Sequence, residues 1–335
     1  MKQLLRAGII CFSVLALGTF LLSLYKAGSL YTQYTGPAAA PLNYHFALYL
    51  PEPAAGAASR TSPPDENRDS FFSGMVLGAE RAAEEVHAAI SIHSIDPEKF
   101  ELEMASYTGV DGVIVCPYLD DALARRQLDK LGSRQIPVVI VNHNIPNDQP
   151  WPFIGANNFD LGRRIGQALG QSDKGPIQLA MVYSEKSPGI YGERELVEMG
   201  IITALGDRLE TPITGFRTNL NPLDAEELLN RIFRFSSPSA AGINTIVFTD
   251  PSDTMAAAQT LVDMNLVGHV QVIGFGDDPG IQENIRKGVI SFTVAIDPER
   301  IGYEAVRSLH ALRNTGYTPT AIDMGIKILN QGALQ

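Results

Sequence analysis

The chain has 335 residues, 45% of them hydrophobic and 19% charged, and its 37 acidic against 26 basic side chains give a net charge of −11. This composition excludes a disordered chain, and an acidic balance with no cluster of Lys and Arg excludes a nucleic-acid surface. The length exceeds one ordinary core and suits two domains.

The N-terminus predicts export. Lys2 and Arg6 precede an uncharged apolar run from Ala7 to Tyr25, closed by Lys26. About 19 apolar residues are enough to span a bilayer. The best small-residue cleavage site, Ala27-Gly28-Ser29, is weak, and Cys11 lies inside the run behind the bulky Ile10, which rules out a lipid-attachment site there. Residues 1–29 therefore read as an uncleaved signal anchor, a transmembrane helix with its N-terminus inside; a cleaved signal peptide is the alternative. Residues 30–43, with two prolines and several small residues, read as a tether.

Beyond the tether, strand and helix patterns alternate. A strand at 45–50 is followed by a long Pro/Ala/Ser/Gly segment and a helix over 70–90, whose Phe72, Val76, Ala79, Ala83 and Val86 share one face. The segment 51–69 is long for a connection at the carboxyl end of a parallel strand, and reads as a surface insertion or a flap. A strand at 89–94, a helix at 97–106, a strand at 112–116, a helix at 120–131 and a strand at 136–141 complete a first unit. The stretch IPVVIVNHNIPNDQPWPFIGANNFDLGRRIG, residues 136–166, marks its end. Here a β-branched strand stops at a polar group, Asn142-His143-Asn144, a second short strand follows at 153–155, and a new helix opens at Asp160. Trp151, between Pro150 and Pro152 near this connection, reads as packing it, with stacking on a ligand as the alternative.

The scheme then repeats: helix 160–170, strand 177–183, a Gly/Pro/Ser-bearing loop to Gly192, helix 193–205, strand 213–217, helix 224–235, strand 245–249, helix 254–264, strand 270–275, helix 280–287 and strand 291–295. A helix at 298–314 and a strand at 325–329 end the series. Unbroken alternation implies an α/β protein with two doubly wound parallel-sheet lobes and right-handed crossovers, with a cleft between the lobes.

Catalytic and metal chemistry finds little footing. Gly274 to Gly280 lacks the dinucleotide spacing and carries two carboxylates, and there is no Walker lysine motif, no GxSxG and no HExxH. The histidines, His45, His87, His93, His143, His269 and His310, show no ligand spacing. Cys11 and Cys116 give no disulfide framework, and Cys116, on a buried strand, reads as core. No enzyme, metal or cofactor is expected.

Seven pieces stand in one order: DSFFSGMVLGAERAAEE, VDGVIVCP, IPVVIVN, IGANNFDLGRRIG, TDPSDTMAAAQTL, VIGFGDDPG and FTVAIDPERIGYEAV. Together they make residues 44–329 resemble a type I periplasmic binding protein of the ribose/galactose branch, the fold shared with sugar-responsive repressors. The resemblance implies two lobes joined by three crossovers, near 153–157, 294–297 and 320–324, with a ligand in the cleft. The N-terminal lobe is then 44–155 plus 297–320, and the C-terminal lobe 156–296 plus 321–332.

Carried over position by position, the resemblance implies ligand contacts at Asp69, at the aromatic pair Phe71 and Phe72, and at Asn142 and His143, which replace an acidic and a basic residue. Aromatic faces suit a pyranose ring and carboxylates suit hydroxyls. Asn158 follows the first crossover. In the second lobe the match departs: Val197 replaces the family's arginine, with Tyr191 or Arg194 as substitutes, and Ser252 precedes Asp253 where the family has Asn. Gly276 replaces a carboxylate that Asp277 could supply, and Ile296 replaces a glutamine. The resemblance implies an extracytoplasmic solute-binding protein that delivers a small sugar-like ligand to the permease of an ABC-type importer. The alternative is a membrane-anchored sensor that signals through a histidine kinase or similar partner. A repressor is excluded by an apolar segment where a basic helix-turn-helix would stand.

Overall fold

The computed structural model describes residues 17–23, 25–26, 43–51, 70–95, 101–117, 121–145, 151–172, 175–185, 187–210, 212–219, 223–234 and 242–334. The chain divides into two compact units, residues 1–42 and 43–335. In the first, residues 17–23 and 25–26 are helical. Most of the apolar run read as an anchor lies outside the described residues, and no helix among the described residues is long and apolar enough to cross a membrane. Residues 52–69, and Asp69 with them, also lie outside.

In the second unit, β1 (Tyr44–Pro51), α1 (Ser70–Glu85), β2 (Ala88–Ile95), α2 (Glu101–Ala105), β3 (Gly112–Val115), α3 (Asp121–Ser133), β4 (Val138–Val141) and β5 (Phe153–Gly155) come first. There follow α4 (Asn158–Ser172), β6 (Leu179–Ser184), α5 (Pro188–Gly192), α6 (Arg194–Leu205), β7 (Thr214–Thr218), α7 (Asp224–Arg234), β8 (Thr245–Phe248), α8 (Pro251–Asp263), β9 (Gln271–Phe275), α9 (Pro279–Arg286) and β10 (Phe292–Ala295). The series closes with α10 (Pro298–Thr315), β11 (Ala321–Asp323) and β12 (Lys327–Asn330).

These strands form two six-stranded sheets, in the orders β11-β5-β4-β3-β1-β2 and β12-β10-β9-β8-β6-β7. Every pair in the first sheet is parallel. In the second only β12, against β10, is antiparallel. The inner strands β3, β4, β6, β8 and β10 are buried along their whole length, because helices cover both faces; the edge strands β7, β11 and β12 carry exposed positions. That is why VVIV and FTVA read as unbroken apolar runs.

The two lobes use the same device to hold a pair of helices. After β5, the Asn157 side chain accepts the Asp160 N–H at 3.0 Å and starts α4; after β10, Asp297 accepts the Arg300 N–H at 3.0 Å and starts α10. Each helix then meets a partner backbone to backbone. A β-carbon built on Gly302 of α10 would lie 1.8 Å from the Met75 carbonyl oxygen of α1, and one on Gly162 of α4 would lie 1.9 Å from the Val197 oxygen of α6. No side chain fits at either crossing. Ala156, Ile296 and Met324, all buried where the chain passes between sheets, belong to the hydrophobic cluster that runs through both lobes.

Several boundaries differ from those expected. The helix expected over 70–90 stops at Glu85, because His87 takes a left-handed φ of 53° and starts β2 one residue later. The helix expected from 254 begins at Pro251, since Asp250 caps it and proline suits a first turn. α5 forms within what read as a loop. Residues 321–323, assigned to the C-terminal lobe, pair as β11 with β5 in the first sheet, Ile322 beside Ile154, so the third passage between sheets follows Asp323. An isolated three-residue strand carries no sequence signal for which sheet it will extend.

Candidate functional site

The residues singled out above all follow the carboxyl ends of parallel strands, the end at which open α/β sheets bind ligands. In the first lobe, Phe71 and Phe72 open α1. Phe72 is buried in the core, while Phe71 is half-buried and meets it edge to face, ring centroids 5.4 Å apart at 87°. Of the pair, Phe71 is the one that stays partly exposed, packed against the edge of the core.

Directly after β4 comes Asn142, at a left-handed φ of 64°. Asparagine is one of the few residues other than glycine that takes this conformation readily, which suits the sharp turn after the strand. The Asn142 N–H donates to the Ile154 oxygen at 2.9 Å, and its side-chain amide approaches the Cys116 sulfur at 4.0 Å. Burial pushes the Cys116 thiol up to about 12, so it is a neutral floor beneath Asn142 and not a nucleophile.

His143, 4% exposed, places Nε2 2.7 Å from Asp121 Oδ1 at the start of α3. Across from it lies α5 of the second lobe. A β-carbon on Gly189 would stand 2.2 Å from the Asn142 carbonyl oxygen, and one on Gly192 would stand 2.1 Å from His143 Cε1. The two lobes therefore touch here, end of β4 against α5, through glycines that carry no side chain to keep them apart. Asn158 secures α5 from its own lobe: its amide donates to the Gly189 oxygen at 3.0 Å and to Glu193 Oε2 at 2.6 Å. Glu193 is held above the ordinary carboxylate range by burial, with Asp121 pushing the same way and the Asn158 hydrogen bond and His143 opposing it.

Elsewhere in the second lobe the picture is mixed. The Tyr191 ring is half-buried and lies under two guanidinium groups, Arg217 at 5.2 Å and Arg194 at 6.0 Å from its centroid. Arg194 is exposed and pairs with Glu195 at 3.3 Å; Arg217 pairs with Glu185. Val197, at the position of the family arginine, is buried against α4. Asp253 is 1% exposed and accepts the Thr218 hydroxyl at 2.5 Å, a bond that ties α8 to β7. Ser252 donates its hydroxyl to Asp250 at 2.5 Å, inside the cap of α8. Asp277 is exposed on the turn before α9, where its carbonyl accepts Gln282.

The structure thus brings Asn142, His143 and Asn158 together at the lobe contact and leaves Ser252, Asp253 and Asp277 in a separate group. It adds Asp121, Glu193, Gly189 and Gly192, none of which a sequence pattern marks; only the approach of two distant segments gives them a role. Among the described residues no group of three or more His, Cys, Asp and Glu could hold a metal ion.

No curated protein matches the chain. Among solved structures, a myo-inositol binding protein of Caulobacter bound to myo-inositol superposes with a TM-score of 0.74 at 18% identity, covering 89% of this chain and 97% of that one. GanP, a glucose-galactose binding protein from Geobacillus stearothermophilus, gives 0.70 at 19%, covering 86% and 98%, and the XylFII–LytSN complex gives 0.70 at 20%, covering 88% and 100%. A family model described as "Periplasmic binding protein domain" matches residues 61–316. Two parallel-sheet lobes, three passages between them and a match over most of its length place the chain in the periplasmic binding protein domain family.

Proposed function

We propose that this protein is an extracytoplasmic solute-binding protein that captures a small sugar-like ligand between its lobes and passes it to the permease of an ABC-type importer. The observation that carries this reading is the contact between β4 and α5: lobes that meet through bare glycines can close on a small solute and separate again. Family membership and the polyol-binding proteins that share the fold support it. Phe71, Asn142, Asn158 and Tyr191 are the residues proposed nearest the ligand, with Arg194 and Asp277 at its margin; Asp69 is proposed as a contact from the family resemblance alone. Phe72, His143, Ser252 and Asp253 support them.

Calorimetric titration with pentoses, hexoses and inositols tests the proposal. Stripping an aromatic face costs about 1.5–3 kcal/mol of apolar burial. Phe71→Ala is accordingly expected to weaken the best ligand by roughly tenfold to a hundredfold with folding intact. Unchanged affinity in this variant would remove Phe71 from the site, and no response to any member of the panel would remove the sugar reading.

A second reading, a membrane-anchored sensor that signals through a kinase-like partner, draws on two observations. The apolar run from Ala7 to Tyr25 is flanked by Lys2, Arg6 and Lys26 with a weak cleavage site, and a protein of this fold is known in the XylFII–LytSN complex. An anchor that stays attached serves a fixed receptor better than a freely diffusing carrier. N-terminal sequencing of membrane-extracted protein is expected to begin at Met1; a chain beginning near Leu30 would overturn the anchor.

A further inference from the structure

The proposed ligand site lies at the carboxyl ends of the first sheet, and the amino ends make a second surface. Every pair in that sheet is parallel, so the residues that precede β1, β3, β5 and β11 and those that close α1, α2, α3 and α10 gather at one end. Hydrogen bonds tie this end together. The Asn43 N–H donates to the His87 oxygen at 2.8 Å, Asp111 accepts the His45 N–H at 2.8 Å and the Arg313 guanidinium at 3.2 Å, and Arg134 donates to the Ser106 oxygen at 3.0 Å. Among the described residues the first lobe exposes four large apolar side chains, and three of them, Met104, Tyr107 and Tyr317, stand here; Leu77 is the fourth. Tyr107 is 64% exposed in the turn before β3, beneath the Arg134 guanidinium at 4.2 Å, and Tyr317 is 72% exposed in the turn before β11. We infer that this end of the first lobe rests on the surface of the lipid bilayer, with Tyr107 and Tyr317 among the headgroups and Arg134 directed to their phosphates.

Tyrosine suits a membrane–water boundary because its ring is apolar and its hydroxyl stays wet, and arginine reaches outward from the same depth. The chain itself brings the bilayer to this end. Asn43 follows residues 30–42, and the apolar run from Ala7 to Tyr25 stands just ahead of them, so of all the surfaces of residues 43–335 the one at Asn43 is joined most directly to the anchor. That same surface exposes the two tyrosines. Its charges also fit: in a protein of net charge −11, Glu103 is paired with Lys130 at 2.6 Å and Asp111 with Arg313 at 3.2 Å, while Glu84 and Glu85 stand at the rim, where Glu85 accepts the Tyr303 hydroxyl at 2.6 Å. An excess of carboxylate here would be repelled by lipid phosphates. The inference rests on the anchored reading for the tether and on nothing about the ligand. The cleft, at the opposite ends of the strands, then stands clear of the membrane.

The test uses the full-length chain, made by cell-free synthesis into phosphatidylcholine nanodiscs so that residue 1 is kept. Cys11→Ser is introduced, and Cys116 is fully buried. A fluorophore is then attached at Thr320→Cys or Ser133→Cys, exposed positions at this end, or at Val262→Cys near the end of α8 in the second lobe. Lipids carrying a nitroxide on the headgroup should quench the first two sites severalfold more than the third. Tyr107→Ser with Tyr317→Ser should lower the docked-to-free ratio by about tenfold, the scale of partly burying two rings, and Tyr107→Trp with Tyr317→Trp should restore it. Equal quenching at all three sites in the parent overturns the inference, as does parent-like quenching in the double serine variant. Quenching that rises with the number of chains per disc would assign the face to a second copy of this chain and overturn the bilayer. A chain that leaves the discs removes the anchor and the inference with it. Sugar titration is untouched by these outcomes, so the ligand-capture reading stands or falls separately.

Discussion

Gly189→Ala is expected to weaken ligand capture by about a hundredfold while leaving the unliganded fold intact. The added methyl would lie 2.2 Å from the Asn142 carbonyl oxygen and 2.9 Å from its carbon, distances that no pair of such atoms adopts. Asn142 cannot withdraw easily: it directly follows β4, and its N–H is bonded to the Ile154 oxygen of β5. The lobes must part instead, and every ligand contact that spans them lengthens. Within α5 itself alanine is the better residue by about 1 kcal/mol, so the separated lobes lose nothing. Parallel calorimetry and thermal melting of the parent and variant decide the matter. Parent-like affinity in the variant would show that the contact between β4 and α5 does not belong to the bound state.

The largest stability effect is expected inside the first lobe. Gly302→Val should lower the melting temperature by roughly 6–12 °C, because the new side chain would begin 1.8 Å from the Met75 oxygen and about 3 kcal/mol is the scale of such overpacking in a domain of this size. Relief on one side is blocked, since Gly78 of α1 already meets the Glu299 oxygen at the same crossing. Gly132, on α3 with open space where its β-carbon would stand, supplies the control: Gly132→Ala should raise stability slightly. A drop of less than 2 °C in Gly302→Val would mean that the helices separate at little cost.

The alternation of elements was legible because buried parallel strands and amphipathic helices leave distinct periodicities. VVIV, LAMVYS and FTVA could be little else. The seven ordered motifs identified the family fold that the match over residues 61–316 establishes. Local chemistry set the errors at element ends. Asp250-Pro251 is a readable helix start three residues ahead of the expected Thr254, whereas the left-handed turn at His87 interrupts an apolar pattern that continues through it. The site was less legible. Asn142, His143 and Asn158 lie close at the lobe contact, where Asp121 and Glu193 join them only because segments about 70 residues apart meet across the lobes. Asp253 shows the converse: an acidic residue in a suggestive motif that folding turns inward to Thr218.

The order in which the chain supplies its elements bears on how the protein is made. The first sheet is complete only when β11 reaches its edge, and α1 finds its partner only when α10 has been synthesised, with Leu309 then filling the space beside Gly112. The second lobe takes nearly all of its elements from one continuous stretch, 158–295, and lacks only an edge strand, β12. Synthesis from the N-terminus therefore finishes the later half of the protein first, while β1 to β5, although made earlier, wait with one helix-binding face bare.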